Sequence, residues 1–157
     1  MIEHDKTRRC SATAIVLSLL LCGLWVTQAL ADSDKAFIVH TDAENLEWGP
    51  CPDYFPNGCG LAVLQGDPAE HNADVLLRVP GNSTIPHHCH TSAERMILVA
   101  GTFEVDYDGQ DPVVMRAGTY AYGPPRLPHV AHCRSEEECL LFIAFEKPVD
   151  AIEGTPD

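Results

Sequence analysis

At 157 residues the chain has room for one domain and no more. Its 45% hydrophobic content belongs to a globular protein and excludes a disordered one. A formal net charge of −13 excludes a basic face for nucleic acid or anionic membrane.

The first element is an address. Lys6, Arg8 and Arg9 precede an almost wholly apolar run, Ala12 to Val26, and Ala29-Leu30-Ala31 supplies a small-x-small cleavage site. This is the pattern of a signal peptide over residues 1–31, cleaved after Ala31. The apolar run is shorter than a comfortable membrane span of ~20 residues, so no stable membrane anchor is expected. Arg8-Arg9 raises the twin-arginine route, but the residues after the pair do not complete that motif. A Sec signal and a secreted or periplasmic product are therefore expected. Cleavage leaves 126 residues, Asp32 to Asp157, with seven basic and 21 acidic side chains and a net charge of −14.

The mature chain reads as short strands punctuated by turns. Runs with strand character appear at Ala36–His40, Leu61–Gln65, Val75–Val79, Arg95–Ala100, Thr102–Tyr107, Val113–Arg116, Thr119–Tyr122, His129–Cys133 and Leu140–Phe145. Gly66-Asp67-Pro68, Pro80-Gly81-Asn82, Asp108-Gly109, Asp111-Pro112 and Gly123-Pro124-Pro125 separate them. Proline falls at the edges of runs, as a sheet requires. Thr41–Trp48 has room for one helical turn, and no longer helix is expected. An antiparallel sandwich or barrel in one domain, residues 32–157, is the reading.

His88-Cys89-His90 lies among these strands. In an extended segment alternate side chains share a face, so the two imidazoles point one way with Cα atoms roughly 6–7 Å apart. A turn brings back Glu94, and a distant strand brings His129. Three imidazoles and a carboxylate can then converge on one divalent metal, in a core spanning residues 81–133. A rival phasing turns His87 and Cys89 inward instead. The donor set suits Zn, Cu, Fe and Ni through imidazole and Mn through carboxylate, so it does not choose among them. Glu94, Met96 and Leu98 share a face, which puts Met96 and Leu98 on the wall of an apolar pocket beside the ion. Tyr120 and Tyr122 share a face before the second half of the site and are expected to line that pocket. Arg126 either anchors a substrate carboxylate bidentately or pairs with a surface acid.

Five cysteines lie beyond the leader. Cys51 and Cys59 flank a Pro/Gly-rich loop, and Cys133 and Cys139 flank an acidic one. Export places them where disulfides persist, so Cys51–Cys59 and Cys133–Cys139 are expected and Cys89 is left as a free thiol.

These residues resemble the cupin superfamily, and the wider pattern looks like small secreted single-domain cupins of the RmlC-like kind. Gly81, six residues, His88-x-His90, three residues, Glu94, six residues, Gly101 matches the first cupin motif with one spacer longer by one. Gly118, five residues, Pro124-Pro125-Arg126, two residues, His129, three residues, Cys133 matches the second. Arg126 stands where Gly is usual, and Cys133 where Asn is usual. The resemblance implies an all-β cupin-type antiparallel β-barrel, or jelly roll, of two sheets. It also implies a metal held by three His and one Glu, a small-molecule partner and frequent homodimers. The resemblance is unspecific for chemistry; the donor set itself is read as that of a metal-dependent oxidoreductase of dioxygenase type on a small organic substrate, with Glu94 as a proton shuttle. The alternative is a non-catalytic metal-binding, ligand-binding or sensor module. Coordination number separates the two, because four protein ligands close a tetrahedral site and leave an octahedral one open.

Overall fold

In a computed structural model the described residues are 35–42 and 44–154, and the signal peptide reading for residues 1–31 falls outside them. Lys35 to Phe37 carry no regular element. From Ile38 onward, every regular element among the described residues is a strand.

Eleven strands are present, in chain order β1 (Trp48–Pro50), β2 (Gly60–Gln65), β3 (Ala73–Val79), β4 (Ser83–Cys89), β5 (Glu94–Ala100), β6 (Thr102–Tyr107), β7 (Val113–Arg116), β8 (Tyr120–Gly123), β9 (His129–Cys133), β10 (Cys139–Phe145) and β11 (Ile152–Glu153). One sheet runs β1-β2-β3-β10-β5-β8 and the other β11-β4-β9-β6-β7. Every pairing is antiparallel. This is the jelly-roll form of the cupin barrel, in keeping with the alternating runs and even turn spacing of the sequence.

The core lies between the sheets. β10 sits between β3 and β5, with Leu141 opposite Leu77 and Leu98, and Ile143 opposite Val75 and Met96. From the other sheet Ile85, Phe103, Val105 and Ala131 meet this layer. A smaller cluster of Ala62, Leu76 and Leu140 occupies the outer face of the six-stranded sheet. Trp48 packs against it, and the Arg78 guanidinium stacks 4.4 Å over the Trp48 ring.

Two sequence expectations need correction. Ala36–His40 forms no strand: Phe37 and Ile38 are 61% and 89% exposed, and this run joins no ladder among the described residues. The turn expected near Thr41–Trp48 is a pair of turns leading into β1. Conversely, β4 escapes a run-based reading because Pro86 interrupts it. Its register against β9 shifts between Ile85 and His88, a bulge at the proline that turns His88 toward the interior. Gly81 precedes β4 for a steric reason, since a Cβ there would lie 1.9 Å from the Glu136 carbonyl oxygen.

The structure joins Cys51 to Cys59 and Cys133 to Cys139, each pair with Cα atoms 5.7 Å apart. Cys89 is a buried free thiol. Two disulfides in one small domain belong to an oxidising compartment. Among the described residues no helix is long and apolar enough to cross a membrane.

Candidate metal centre

β4 delivers His88 and, one residue beyond its end, His90; β9 delivers His129. The bulged register sets His88 directly opposite His129. β5 opens with Glu94 on the facing sheet. Candidate ligand atoms of the three imidazoles all lie within 4.8 Å of one another. Glu94 stands against them, with Oε1 3.4 Å from His90 Nε2 and Oε2 4.0 Å from His129 Nε2. All four groups are buried, none more than 8% exposed. His87, on the opposite side of the strand, bonds Asp108 at 3.0 Å instead.

Each imidazole is oriented by a backbone carbonyl on its far nitrogen. His88 Nδ1 pairs with the Pro86 carbonyl at 2.7 Å and His129 Nδ1 with that of Leu127 at 3.2 Å. His90 Nδ1 pairs with the Asp150 carbonyl. A carbonyl only accepts, so each Nδ1 carries the proton and each Nε2 presents a lone pair. His90 Nε2 is buried without a hydrogen-bond partner among the described residues. An orphaned lone pair facing two others and a carboxyl fits a cation.

The electrostatics agree. Burial, then the neighbouring His129 and His90, push the His88 pKa down to about 3. Burial also lowers His129 to about 4, against its bond to Leu127. Both rings are therefore neutral at pH 7, the form that binds metals. Burial raises the Glu94 pKa, partly offset by His90.

The four groups line a cavity of about 260 Å³. Its walls are mostly apolar, with Leu77, Met96, Phe103, Val105 and Phe145 among them, and the lining contains no Lys or Arg. Phe55, in the Cys51–Cys59 loop, packs edge-on to His88 with ring centroids 5.2 Å apart. Asp150 also lines the cavity and is fixed there, its carboxylate accepting from the Thr91 N–H at 2.9 Å and the Thr91 hydroxyl at 2.7 Å.

Of the residues expected to line the pocket, Met96 does. Leu98 does not: it is fully buried in the core, two residues further along β5 than Met96. Tyr120 and Tyr122 are 58% and 53% exposed. The reason is register, since β8 sets them opposite Ile97 and Arg95 on the outer face and puts Ala121 opposite Met96. Arg126 is exposed, with φ at +63°, and its N–H donates to the His90 carbonyl at 2.7 Å. It takes the left-handed turn position where cupins usually carry Gly, and its side chain does not line the cavity.

Sequence reasoning misses three residues near the centre. Ser92 is 1% exposed, and its hydroxyl accepts from the N–H groups of Glu146 and Lys147, both at 3.0 Å. Asp150 contributes a backbone oxygen, which no side-chain motif reports. Tyr107 stands directly opposite His129, with ring centroids 4.9 Å apart. Only the inward phase of β6 points to it.

Comparisons with known proteins agree with this fold. No curated protein matches the sequence. Among solved structures, the polyketide cyclase RemF from Streptomyces resistomycificus superposes with a TM-score of 0.63 at 15% identity, over 78% of this chain and 88% of that one. The DMSP lyase DddQ from Ruegeria pomeroyi DSS-3 gives 0.60 at 16% identity, over 71% of this chain and 62% of the lyase. This chain thus spans less than two thirds of that enzyme's length. An RmlC-like cupin from Shewanella frigidimarina gives 0.55 at 23% identity, over 68% and 86%. At such identities the likeness is one of fold. The ChrR cupin-like domain matches residues 35–148, most of the chain. By that match and by its barrel, the chain belongs to the ChrR cupin-like family of the cupin superfamily.

Proposed function

We propose that this protein is a metal-dependent cupin oxidoreductase of dioxygenase type, working in the cell envelope or outside the cell. Its substrate is a small, largely apolar molecule with an oxygen donor. The observation that carries this reading is the arrangement of donors. His88, His90, Glu94 and His129 gather in the wall of a cavity whose remaining lining is mostly apolar. A divalent Mn, Fe, Cu, Ni or Zn ion held by these four supplies a Lewis-acidic point and, except for zinc, a redox-active one.

The chain's own residues do the rest. The carbonyls of Pro86, Leu127 and Asp150 hold the three rings in one tautomer. The apolar walls exclude water and strengthen every charge interaction at the centre. With no Lys or Arg among the described lining residues, the cavity offers no fixed cation apart from the centre to take a substrate's anionic group. That disfavours small dianions and favours neutral molecules with one oxygen-bearing end. Glu94, whose pKa burial raises, is the group able to hold a proton beside that end. The two disulfides and the predicted leader support a place outside the cytoplasm.

The test is metal content and oxygen uptake. Purified protein is loaded separately with Mn(II), Fe(II), Cu(II) and Ni(II) and offered a panel of catechols and enolisable diketones. One metal per chain and substrate-dependent oxygen consumption are expected. A four-coordinate zinc without exchangeable water would sink this reading. It would favour a second one, a non-catalytic metal or small-ligand binder. One observation supports that second reading: besides Glu94, the only carboxylate among the lining residues is Asp150, already engaged by Thr91.

A further inference from the structure

Tyr107 ends β6 beside His129, and Gly123 ends β8 opposite Glu94. The phenol is thus carried by one sheet and the carboxylate by the other. They meet over Gly123. A Cβ placed there would lie 2.8 Å from the Tyr107 hydroxyl oxygen and 3.2 Å from Glu94 Oε2. Both oxygens border the notch that this glycine leaves open, and any larger residue would push them apart. The Tyr107 side chain is 9% exposed, and its hydroxyl has no hydrogen-bond partner among the described residues. A buried phenol without a partner costs free energy unless some state of the protein satisfies it. Glu94 Oε1, by contrast, points to His90 Nε2 at 3.4 Å.

We propose that Tyr107 is a positioning residue for the metal ligand Glu94, donating its hydroxyl to Oε2 in the metal-loaded protein and leaving Oε1 as the single ligating oxygen. The inference rests on the metal-centre reading above. The terminal torsion of Glu is broad, so the carboxyl turns toward the phenol at little expense. A donor on the far oxygen fixes the carboxylate's orientation, as outer partners of metal ligands commonly do. It also keeps Glu94 from chelating through both oxygens, which preserves an open position on the ion.

The experiment uses Co(II), whose visible absorption reports coordination number, with Zn(II) competition for affinity. Wild type, Tyr107→Phe, Glu94→Gln and the double variant are compared, with Gly123→Ala as a variant that crowds both the phenol and the carboxylate. Wild type is expected to bind one Co(II) per chain. Tyr107→Phe should weaken binding roughly tenfold and shift the absorption band, while the metal-free melting temperature stays the same or rises, because the hydroxyl removed has no hydrogen-bond partner among the described residues. Gly123→Ala should shift the band in the same direction. In the Glu94→Gln background, Tyr107→Phe should change nothing further. The proposal is overturned by an unchanged spectrum and affinity in Tyr107→Phe, or by an equal effect in the Glu94→Gln background. It is also overturned if metal-free Tyr107→Phe fails to fold, since the hydroxyl would then serve the barrel and not the ligand. Failure of the wild type to bind Co(II) would instead refute the metal centre itself.

Discussion

Acid should destabilise the metal-free protein through two specific rings. His88 and His129 have folded pKa values near 3 and 4, against an ordinary histidine value of 6.5. Unfolding returns both to water, where they protonate below pH 6.5. Between pH 6.5 and 4 the unfolded chain therefore holds up to two more protons than the native one. Stability is fully present above pH 6.5 and falls as the pH drops toward the folded values. Each ring contributes about 1.4 kcal/mol per pH unit, so together they remove about 4 kcal/mol by pH 5. That is a large share of the ~5–15 kcal/mol that holds a domain together. Glu94 works in the opposite sense, because its raised pKa makes its buried charge a burden at neutral pH that protonation relieves. Urea denaturation of chelator-treated protein at pH 7.5, 6 and 5 measures the sum. His129→Asn isolates one ring and should reduce the slope by about 1.4 kcal/mol per pH unit. A slope identical in His129→Asn and wild type would refute the argument.

Other substitutions probe the remaining structure. His90→Ala should drop bound metal from one equivalent to none by elemental analysis, and retained stoichiometry would remove His90 from the ligand set. Leu98→Ala, at a fully buried core position, should cost about 3–5 kcal/mol in denaturation, with metal stoichiometry unchanged. Arg126→Gly should raise stability by about 0.5–1 kcal/mol, because φ at +63° strains a residue with a Cβ. A loss of stability there would show that the arginine side chain makes a contact worth more than its strain.

Strand geometry explains how much of the fold and centre was legible in advance. His88 and His90 are two apart, and period-two alternation puts them on one face wherever the segment is extended. Cys51 with Cys59, and Cys133 with Cys139, border loops short enough to close, and the turn residues fix where those loops lie. Alternation does not say which of two faces is inward, and Tyr120 and Tyr122 fell on the outer one because of their pairing with Ile97 and Arg95. Nor does it say where along an inward face a cavity ends, which is why Leu98 is core and Met96 is wall. Ala36–His40 has strand composition but joins no ladder among the described residues. Tyr107 depends on the register of β6 against β9, and Asp150 on a main-chain oxygen, neither of which residue types announce.

The Asp150 carbonyl that orients His90 lies 60 residues further along the chain. A growing polypeptide therefore cannot fix this ring until residue 150 has been released. Fragments ending before that point lack the group that fixes one of three rings, and they would hold an ion only loosely. The His90 ring is thus set late in synthesis, after the strands that carry all three imidazoles have been made.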